Sequence, residues 1–154
     1  MIYDQPAMDV AIDQGDLIDG CPVLRLRAVP IGSSGLEPVE LHWRRIVVLT
    51  QTCDLANAKT VDANIAEVYD AQLLADQGIL KPSDIKGPIR GGRVWGWYFL
   101  PADHQLGLPE MIVDLRRLHT IPIDLLRSLV QDGQRRARRS PATALPRAPG
   151  QTFR

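Results

Sequence analysis

The apolar residues of this chain come in short runs with the spacing of β-strands, and no run is long enough to span a membrane. One segment alternates strictly between apolar and basic residues. Leu24, Leu26 and Ala28 occupy one face of this segment. Arg25 and Arg27 occupy the other face. Such alternation is typical of an antiparallel strand that is half-exposed to water, so it predicts a mainly β protein.

The spacing of apolar residues, together with the Gly, Pro and capping residues that begin or end an element, predicts the other strands and helices. The run 46–49 is apolar on both faces, so its strand should be central in a sheet. Thr120 and Pro122 suit the start of a helix, and Gly133 suits its end. The predicted strands are 8–12, 23–29, 44–50, 65–69, 93–100 and 111–118, and the predicted helices are 71–77 and 122–133. The segment 81–92 is rich in Pro, Gly and charge, which predicts a connection.

These elements predict an α+β fold that is mainly β, a small antiparallel barrel with one C-terminal helix. The chain has 154 residues, which is the length of one domain rather than two. Residues 1–133 contain every predicted element and form that single domain. Residues 134–154 are rich in Arg and Pro and lack apolar periodicity, which predicts an irregular tail.

Charge is balanced over the whole chain but not along it. Eighteen basic and eighteen acidic residues cancel, so no overall field attracts nucleic acid or a membrane. Residues 1–24 hold five Asp and no base, whereas residues 127–154 hold seven Arg and one acid. This asymmetry is typical of a basic arm that binds nucleic acid, or of two chain ends that attract each other. The start lacks the basic residues of a signal peptide, so we expect a soluble, cytoplasmic protein without a membrane partner.

The sequence contains no recognisable metal or cofactor motif. Cys21 and Cys53 are too few for a disulfide scaffold and lack metal-ligand spacing, and the three His residues are scattered. The glycine-rich motifs of nucleotide-binding proteins are also absent. We therefore predict neither a metal site nor a cofactor.

Several short sequence motifs, in a fixed order over roughly residues 14–131, resemble those of MazF/PemK-type proteins. Gly15-Asp16-Leu17, a glycine-rich loop and Arg44-Arg45 before the apolar strand are similar to the opening of that family. Phe99-Leu100-Pro101 and then Ile112-Val113-Asp114 continue the order. The resemblance implies an SH3-like barrel, often a toxin endoribonuclease of a toxin–antitoxin pair, and a homodimer. The segment 49–55, which reads LTQTCDL, also resembles small uncharacterised bacterial proteins.

Polar and nucleophilic residues gather around the predicted central strand, where a rigid sheet can hold them at a surface. The candidate catalytic residues are Arg45, Cys53 and Asp54. The candidate binding residues are Trp43, Arg44, Gln51 and Thr52. Arg45 would stabilise a developing negative charge in the activity that the resemblance implies.

Cys53 has two interpretations. As a nucleophile it needs a lowered thiol pKa and a base within reach, for which His42 and His119 are candidates. In the other interpretation Cys53 is a small buried side chain, and Asp54 caps a turn through backbone hydrogen bonds. The second interpretation is favoured because free cysteines are usually buried and inert.

The aromatic residues Trp95, Trp97 and Phe99 share one face of a predicted strand. They could stack on unpaired bases, with Arg90 and Arg93 beside them. The same spacing suits the inner wall of a barrel, and we expect at least two of the three to lie in the core.

Three functions stay open at this point. The leading one is a small bacterial binding module that binds RNA or a protein partner without catalysis. It leads because the second catalytic position of the family is Thr or Ser, whereas residues 67–70 contain neither. The first alternative is a metal-independent endoribonuclease of the toxin type, and the second is a thiol-dependent enzyme that uses Cys53. Whether the chain is an enzyme is undecided, and a homodimer is expected because small barrels leave an edge strand to protect.

Overall fold

The structure, a computed structural model, describes residues 2–35 and 38–140. The strands are β1 (Tyr3–Asp4), β2 (Asp16–Leu26), β3 (Val39–Val48), β4 (Asp62–Asp70), β5 (Trp97–Leu100), β6 (Met111–Pro122) and β7 (Arg136–Arg139). The helices are α1 (Thr52–Ala56), α2 (Ala71–Asp76), α3 (Pro82–Asp84), a π-helix (Ile85–Ile89) and α4 (Ile123–Gln131). Within the described ranges, no helix is both long enough and apolar enough to cross a membrane.

The strands form one sheet in the order β1-β7-β2-β3-β4-β6-β5, and every neighbouring pair is antiparallel. The prediction of a mainly β, antiparallel fold is therefore confirmed. Among the described residues the pairing leaves β1 and β5 as the two edges, so the sheet is open rather than closed. The apolar strand that was expected to be central, β3, lies between β2 and β4.

Three apolar clusters cover the two faces of the sheet. On the first face, which carries Ile46 and Ile65, α4 packs its side chains Leu126 and Val130. Further along the same face, α2 and the π-helix pack over Ile112. The second face carries a separate cluster that includes Val47, Ala66, Val68, Val113 and the strand β7 residue Ala137. The first face is thus covered at two places, with a gap between them.

The helix predictions agree with the structure more closely than the loop predictions. The helix expected at 71–77 is α2, and the helix expected at 122–133 is α4. The expected strand 8–12 is wrong, because this segment turns through a hydrogen bond from the Val10 amide to the Ala7 carbonyl. The expected connection 81–92 contains α3 and the π-helix, whose residues Ile85 and Ile89 are buried.

The prediction of an irregular tail from residue 134 is wrong for Arg136–Arg139, which form strand β7 between β1 and β2. The physical reason is a buried carboxylate on β2. Asp16 accepts hydrogen bonds from Arg136 at 2.6 and 3.1 Å and from Arg138 at 2.6 and 3.1 Å. The alternative that the two oppositely charged ends attract each other is confirmed by these contacts. Residues 141–154 of the predicted tail lie outside the described residues.

A β-bulge in β2 decides which of its side chains face the core. The register with β3 shifts between Ile18 and Cys21, and Gly20 within the bulge has a φ of 67°. A side chain at Gly20 would be strained at this φ and would collide with Gln134. An extra residue in a strand moves all the following side chains to the opposite face. As a result Leu24 and Leu26 are exposed, while Arg25 on the other side of the strand reaches Glu67.

Candidate functional site

A set of charged and polar side chains lies in the gap between the two apolar clusters on the first face of the sheet. Strand register brings them together, since residues directly opposite each other in a sheet point to the same side. Glu67 on β4 is opposite Ile46, and Arg44 is two residues along β3 from Ile46. We call this set the polar strip: Arg25 on β2, His42 and Arg44 on β3, Glu67 and Tyr69 on β4, and His119 on β6.

Glu67 is the centre of the polar strip and is fully buried. Arg25 Nη2 donates to both carboxylate oxygens at 2.8 Å, and the Tyr69 hydroxyl donates to Oε1 at 3.0 Å. Arg44 Nε lies 3.3 Å from Oε1, and His119 Nε2 lies 3.3 Å from Oε2. A buried carboxylate is tolerated only when it is paired and hydrogen-bonded, and this one has both kinds of partner.

The pKa values within the polar strip follow from these contacts. Burial alone would raise the pKa of Glu67, but hydrogen bonds from Arg25, Tyr69 and His119 outweigh it and lower the pKa. Burial and the neighbouring Glu67 charge raise the pKa of Tyr69. The carboxylate is therefore ionised and the phenol is neutral at physiological pH. Glu67 acts as a fixed negative charge that holds the surrounding donors.

The arginines of the polar strip have N–H groups that do not donate to Glu67. Two guanidinium groups, Arg25 and Arg44, share one carboxylate, which leaves one net positive charge. The Nε atoms of both arginines are buried and donate no hydrogen bond within the described part of the chain. Arg44 Nε is close enough to Glu67 for an ion pair, but its N–H is not aimed at the oxygen. Arg44 Nη2 instead approaches His42 Nδ1 at 3.3 Å, while His42 Nε2 pairs with Glu40 at 3.1 Å.

Arginine–aromatic pairs extend this chemistry across the first face. The guanidinium of Arg116 lies over Trp97 at 3.9 Å, and that of Arg44 lies 5.8 Å from the ring centre of Tyr69. Trp97 is opposite Asp114 in the sheet, and Asp114 is opposite Glu67, so all three face the same way. Asp114 also accepts hydrogen bonds from Arg116 at 3.0 Å. On the first face, the guanidinium groups of Arg44 and Arg116 therefore lie over aromatic rings.

The seven residues selected from the sequence fall in three separate places. Arg44 belongs to the polar strip. Arg45 points to the second face, where it forms an ion pair with Asp19 and its Nη1 approaches the Met111 sulfur at 3.2 Å. Its hydrogen bond with Asp19 raises the pKa of Arg45. Trp43 is exposed on the second face as well.

The remaining four residues, Gln51, Thr52, Cys53 and Asp54, lie at the start of the short helix α1. Cys53 is exposed, so the favoured interpretation of Cys53 as a small buried side chain is wrong. Its sulfur is 3.7 Å from Gln51 Oε1 and 3.9 Å from Asp54 Oδ1. Thr52 borders a shallow cleft of about 180 Å³ between α1, α4 and the segment 10–13. The second cysteine, Cys21, is buried in the core, and burial raises the pKa of its thiol to about 11.

The aromatic residues also separate. Trp97 and Phe99 are half-buried and pack against the apolar cluster of α2 and the π-helix, so the expectation that two of the three lie in the core holds only in part. Trp95 is exposed in the loop before β5. Gly96 between them has a φ of 83°, and a side chain there would collide with Arg116. The glycine thus allows Arg116 to lie flat over Trp97.

Sequence reasoning missed the centre of the polar strip, although one signal was present. Glu67 lies two residues after Ile65 in an apolar strand, so the alternation puts its carboxylate on the same face as a core residue. An acidic residue at such a position requires a partner. The partners Arg25 and His119 come from other strands and have no comparable local signal.

Among the described residues, no group of three His, Cys, Asp or Glu side chains is placed to hold a metal ion.

No known protein family, curated protein or solved structure matches this chain.

Proposed function

We propose that the chain binds single-stranded RNA across the polar strip on the first face of its sheet. The observation that carries the proposal is the buried Glu67 carboxylate, which holds Arg25 and Arg44 at an uncovered part of the face. Donors that are already fixed lose little conformational freedom when an anion binds. Guanidinium groups also match the geometry of phosphate oxygens.

RNA is favoured over a small anion because the face carries rings beside its cations. Single-stranded nucleic acid is typically bound by basic grooves that follow the backbone and by aromatic side chains that stack on bases. Tyr69 and Trp97 supply rings, and the guanidinium groups of Arg44 and Arg116 lie over them. Stacked guanidinium planes are surfaces on which unpaired bases also pack.

Binding without catalysis is the form of the proposal that the contacts support. Glu67 is completely covered by its partners, so it does not reach a substrate without rearrangement. The endoribonuclease alternative relied on Arg45, whose guanidinium is paired with Asp19 on the other face. The thiol alternative relied on Cys53 with His42 or His119 as its base, but the described partners of the Cys53 sulfur are Gln51 and Asp54.

The resemblance to MazF/PemK-type proteins belongs to the same proposal. We propose that the sheet is a variant of their SH3-like architecture in which strand pairing leaves two edges. A cytoplasmic location and a homodimer are parts of the proposal that fit a neutral chain whose described helices do not span a membrane.

Fluorescence anisotropy with a labelled, mixed-sequence single-stranded RNA pool tests the proposal, with EDTA present and at several salt concentrations. We expect salt-dependent binding by the wild type. Arg44→Ala should weaken binding and reduce the slope of log K against log salt by about 0.7, the contribution of one phosphate contact on a single strand. Arg127→Ala, which removes an exposed arginine on α4, is the matched control and should leave the slope unchanged.

Two results would overturn the proposal. The first is an absence of binding at low salt, which would leave a protein partner as the binding function to be sought. The second is equal binding by the wild type and Arg44→Ala when circular dichroism shows that both are folded. Discrete cleavage of the pool would instead support the endoribonuclease alternative.

A further inference from the structure

Strands β2 and β3 continue as a two-stranded ribbon beyond their other partners. β7 pairs with β2 only at Asp16–Ile18, and β4 pairs with β3 only at residues 45–48. The rest of the hairpin, residues 21–26 and 39–44, has no further strand beside it in the described part of the chain. We call these two segments the hairpin arm. An isolated two-stranded ribbon is only marginally stable in water, so it needs a surface to pack on.

The hairpin arm has a packing surface on only one of its sides. Its first face continues the core through Val23 and then carries Arg25, His42 and Arg44 of the polar strip. Its second face carries five large apolar side chains, each between 40% and 86% exposed. We call them the apolar face: Leu24, Leu26, Val39, Leu41 and Trp43.

Strand register makes the apolar face continuous. Leu24 is opposite Leu41, Leu26 is opposite Val39, and Pro22 is opposite Trp43. Single exposed apolar residues are normal on a protein surface, but a contiguous group of this size marks an interaction site. Within the described hairpin arm, none of these paired positions is charged, so a partner can cover them without removing a charge from water.

We propose that the apolar face packs against the apolar face of a second copy of this chain. Two arms related by a twofold axis would form a four-stranded, two-layered β-sandwich with the apolar side chains inside. This arrangement buries the same surface on both partners, as a symmetric dimer requires. The two ribbons have the same twist, which is the condition for aligned sheet packing. This proposal rests on the homodimer proposed above and names the surface that forms it. It uses the second face and does not depend on RNA binding.

Size and charge favour a second copy as the occupant. A stable interface covers about 800 Å² on each partner, and one buried aromatic side chain such as Trp43 supplies about 150–250 Å² of surface. The four Leu and Val side chains, each 40–86% exposed, add to this and give the arm the apolar centre that such an interface has. The chain has a formal net charge of zero, so two copies do not repel each other over long distances. Arg45, two residues after Trp43 on this face, is already paired with Asp19.

Sedimentation velocity over a wide concentration range tests this proposal. The wild type should sediment with twice the monomer mass of 17.1 kDa. Leu41→Glu places two like charges at the centre of the interface and should weaken dimerisation by about a hundredfold or more. Leu73→Glu, at an exposed leucine of α2, is the matched control and should remain dimeric. Circular dichroism and thermal unfolding establish that both variants are folded.

Cross-linking supplies a second measurement that does not depend on a destabilising charge. In a Cys53→Ser background, Leu41→Cys should form an intermolecular disulfide under mild oxidation, because the twofold axis brings the central residues together. Leu73→Cys in the same background should not. The proposal is overturned if the wild type is a monomer at every concentration. A monomer that binds lipid vesicles would also overturn it, since the apolar face would then have a membrane as its partner. A dimer that survives Leu41→Glu also overturns it.

Discussion

The carboxylate of Glu67 lies where the sheet excludes water, and four side chains from four strands approach it. Arg25, Arg44 and His119 supply cationic or polar nitrogen atoms, and Tyr69 supplies a hydroxyl. Removing one member of a buried ion pair leaves the other uncompensated, which is far more costly than losing a surface pair. The polar strip should therefore respond to substitution as a unit rather than as separate contacts.

Glu67→Gln should destabilise the protein by about 3 kcal/mol at neutral pH, since Arg25 loses its buried partner. The difference should depend on pH in a defined direction. The folded pKa of Glu67 is below its ordinary value of 4.5, so its stabilisation is complete above that value. It is lost as the pH falls through the lower folded pKa. Urea unfolding of both proteins between neutral and acidic pH measures this convergence.

The control for this prediction is Glu110→Gln, which removes an exposed carboxylate paired with Arg90. A surface pair of this kind contributes at most about 1 kcal/mol, so the control should differ little from the wild type. Parallel pH profiles for the wild type and Glu67→Gln would show that the carboxylate of Glu67 contributes no linked proton.

At the residue scale, the sequence shows which side chains share a face but not which face meets the core. The alternation of Leu24, Arg25 and Leu26 was visible, and their strand was predicted. Their orientation was not, because the bulge between Ile18 and Cys21 reverses the inward face of β2. A single extra residue leaves no recognisable signal in the sequence. It nevertheless moves every later side chain of the strand to the opposite face.

At the element scale, β7 is a strand made almost entirely of arginines. Only Ala137 is an apolar core residue, opposite Leu17. Arg136 also donates to the backbone carbonyls of Val10 and Ala11, each at 2.7 Å, and so fixes the segment before β2. The strand is therefore held by charge and hydrogen bonds where an ordinary strand is held by apolar packing.

Asp16→Asn should release β7, because it removes the charge that compensates the buried Arg136 guanidinium. Breaking such a pair typically costs about 3–5 kcal/mol. Unfolding in guanidinium chloride should show this loss of stability. Trypsin should also cleave the segment 135–139 faster in the folded variant than in the wild type. Asp13→Asn is the control, since Asp13 lies 4.0 Å from Arg138 at the edge of the cluster. Equal stability of the two variants would contradict the role assigned to Asp16.

Element prediction succeeded where apolar periodicity was present and failed where charge replaced it. Helix α4 carries an apolar stripe and was predicted closely. Strand β7 carries none, and the only available signal was the opposite charge of the two chain ends. The π-helix 85–89 contains Pro88 and was predicted as a connection, since its short buried side, Ile85 and Ile89, lacks a repeating pattern.

At the scale of the whole molecule, the sheet joins segments that are very far apart in the chain. The last described strand, β7, lies between the first two, β1 and β2. By contrast, β2, β3 and β4 are neighbours both in the sequence and in the sheet. This order could not be predicted from the sequence, because strand periodicity carries no information about distant pairing. Antiparallel pairing of sequential strands was the part that could be expected.

Folding kinetics should separate these two parts of the sheet. Contacts between distant segments require a large loop to close and so form late. Ala137→Gly, in β7, should destabilise by about 1 kcal/mol and act mainly by speeding unfolding, with a φ-value near zero. Val47→Ala, in β3, should slow folding and give a φ-value of about 0.5 or more. Stopped-flow refolding and unfolding in urea measure both values.

An opposite ranking of the two φ-values would mean that the chain ends meet before the centre of the sheet forms. Both sites are buried and both substitutions only remove atoms, so each variant reports on the contacts it loses. Unequal changes in stability do not affect the comparison, because each φ-value is normalised to its own equilibrium change.

The position of β7 also has a consequence for synthesis on the ribosome. When a nascent chain has emerged as far as α4, β2 to β6 can already pair, but β1 still lacks its partner strand β7. Asp16 then has no arginine to neutralise it, and the outer edge of β2 is open. β1 can therefore join the sheet only after the residues of β7 have been translated.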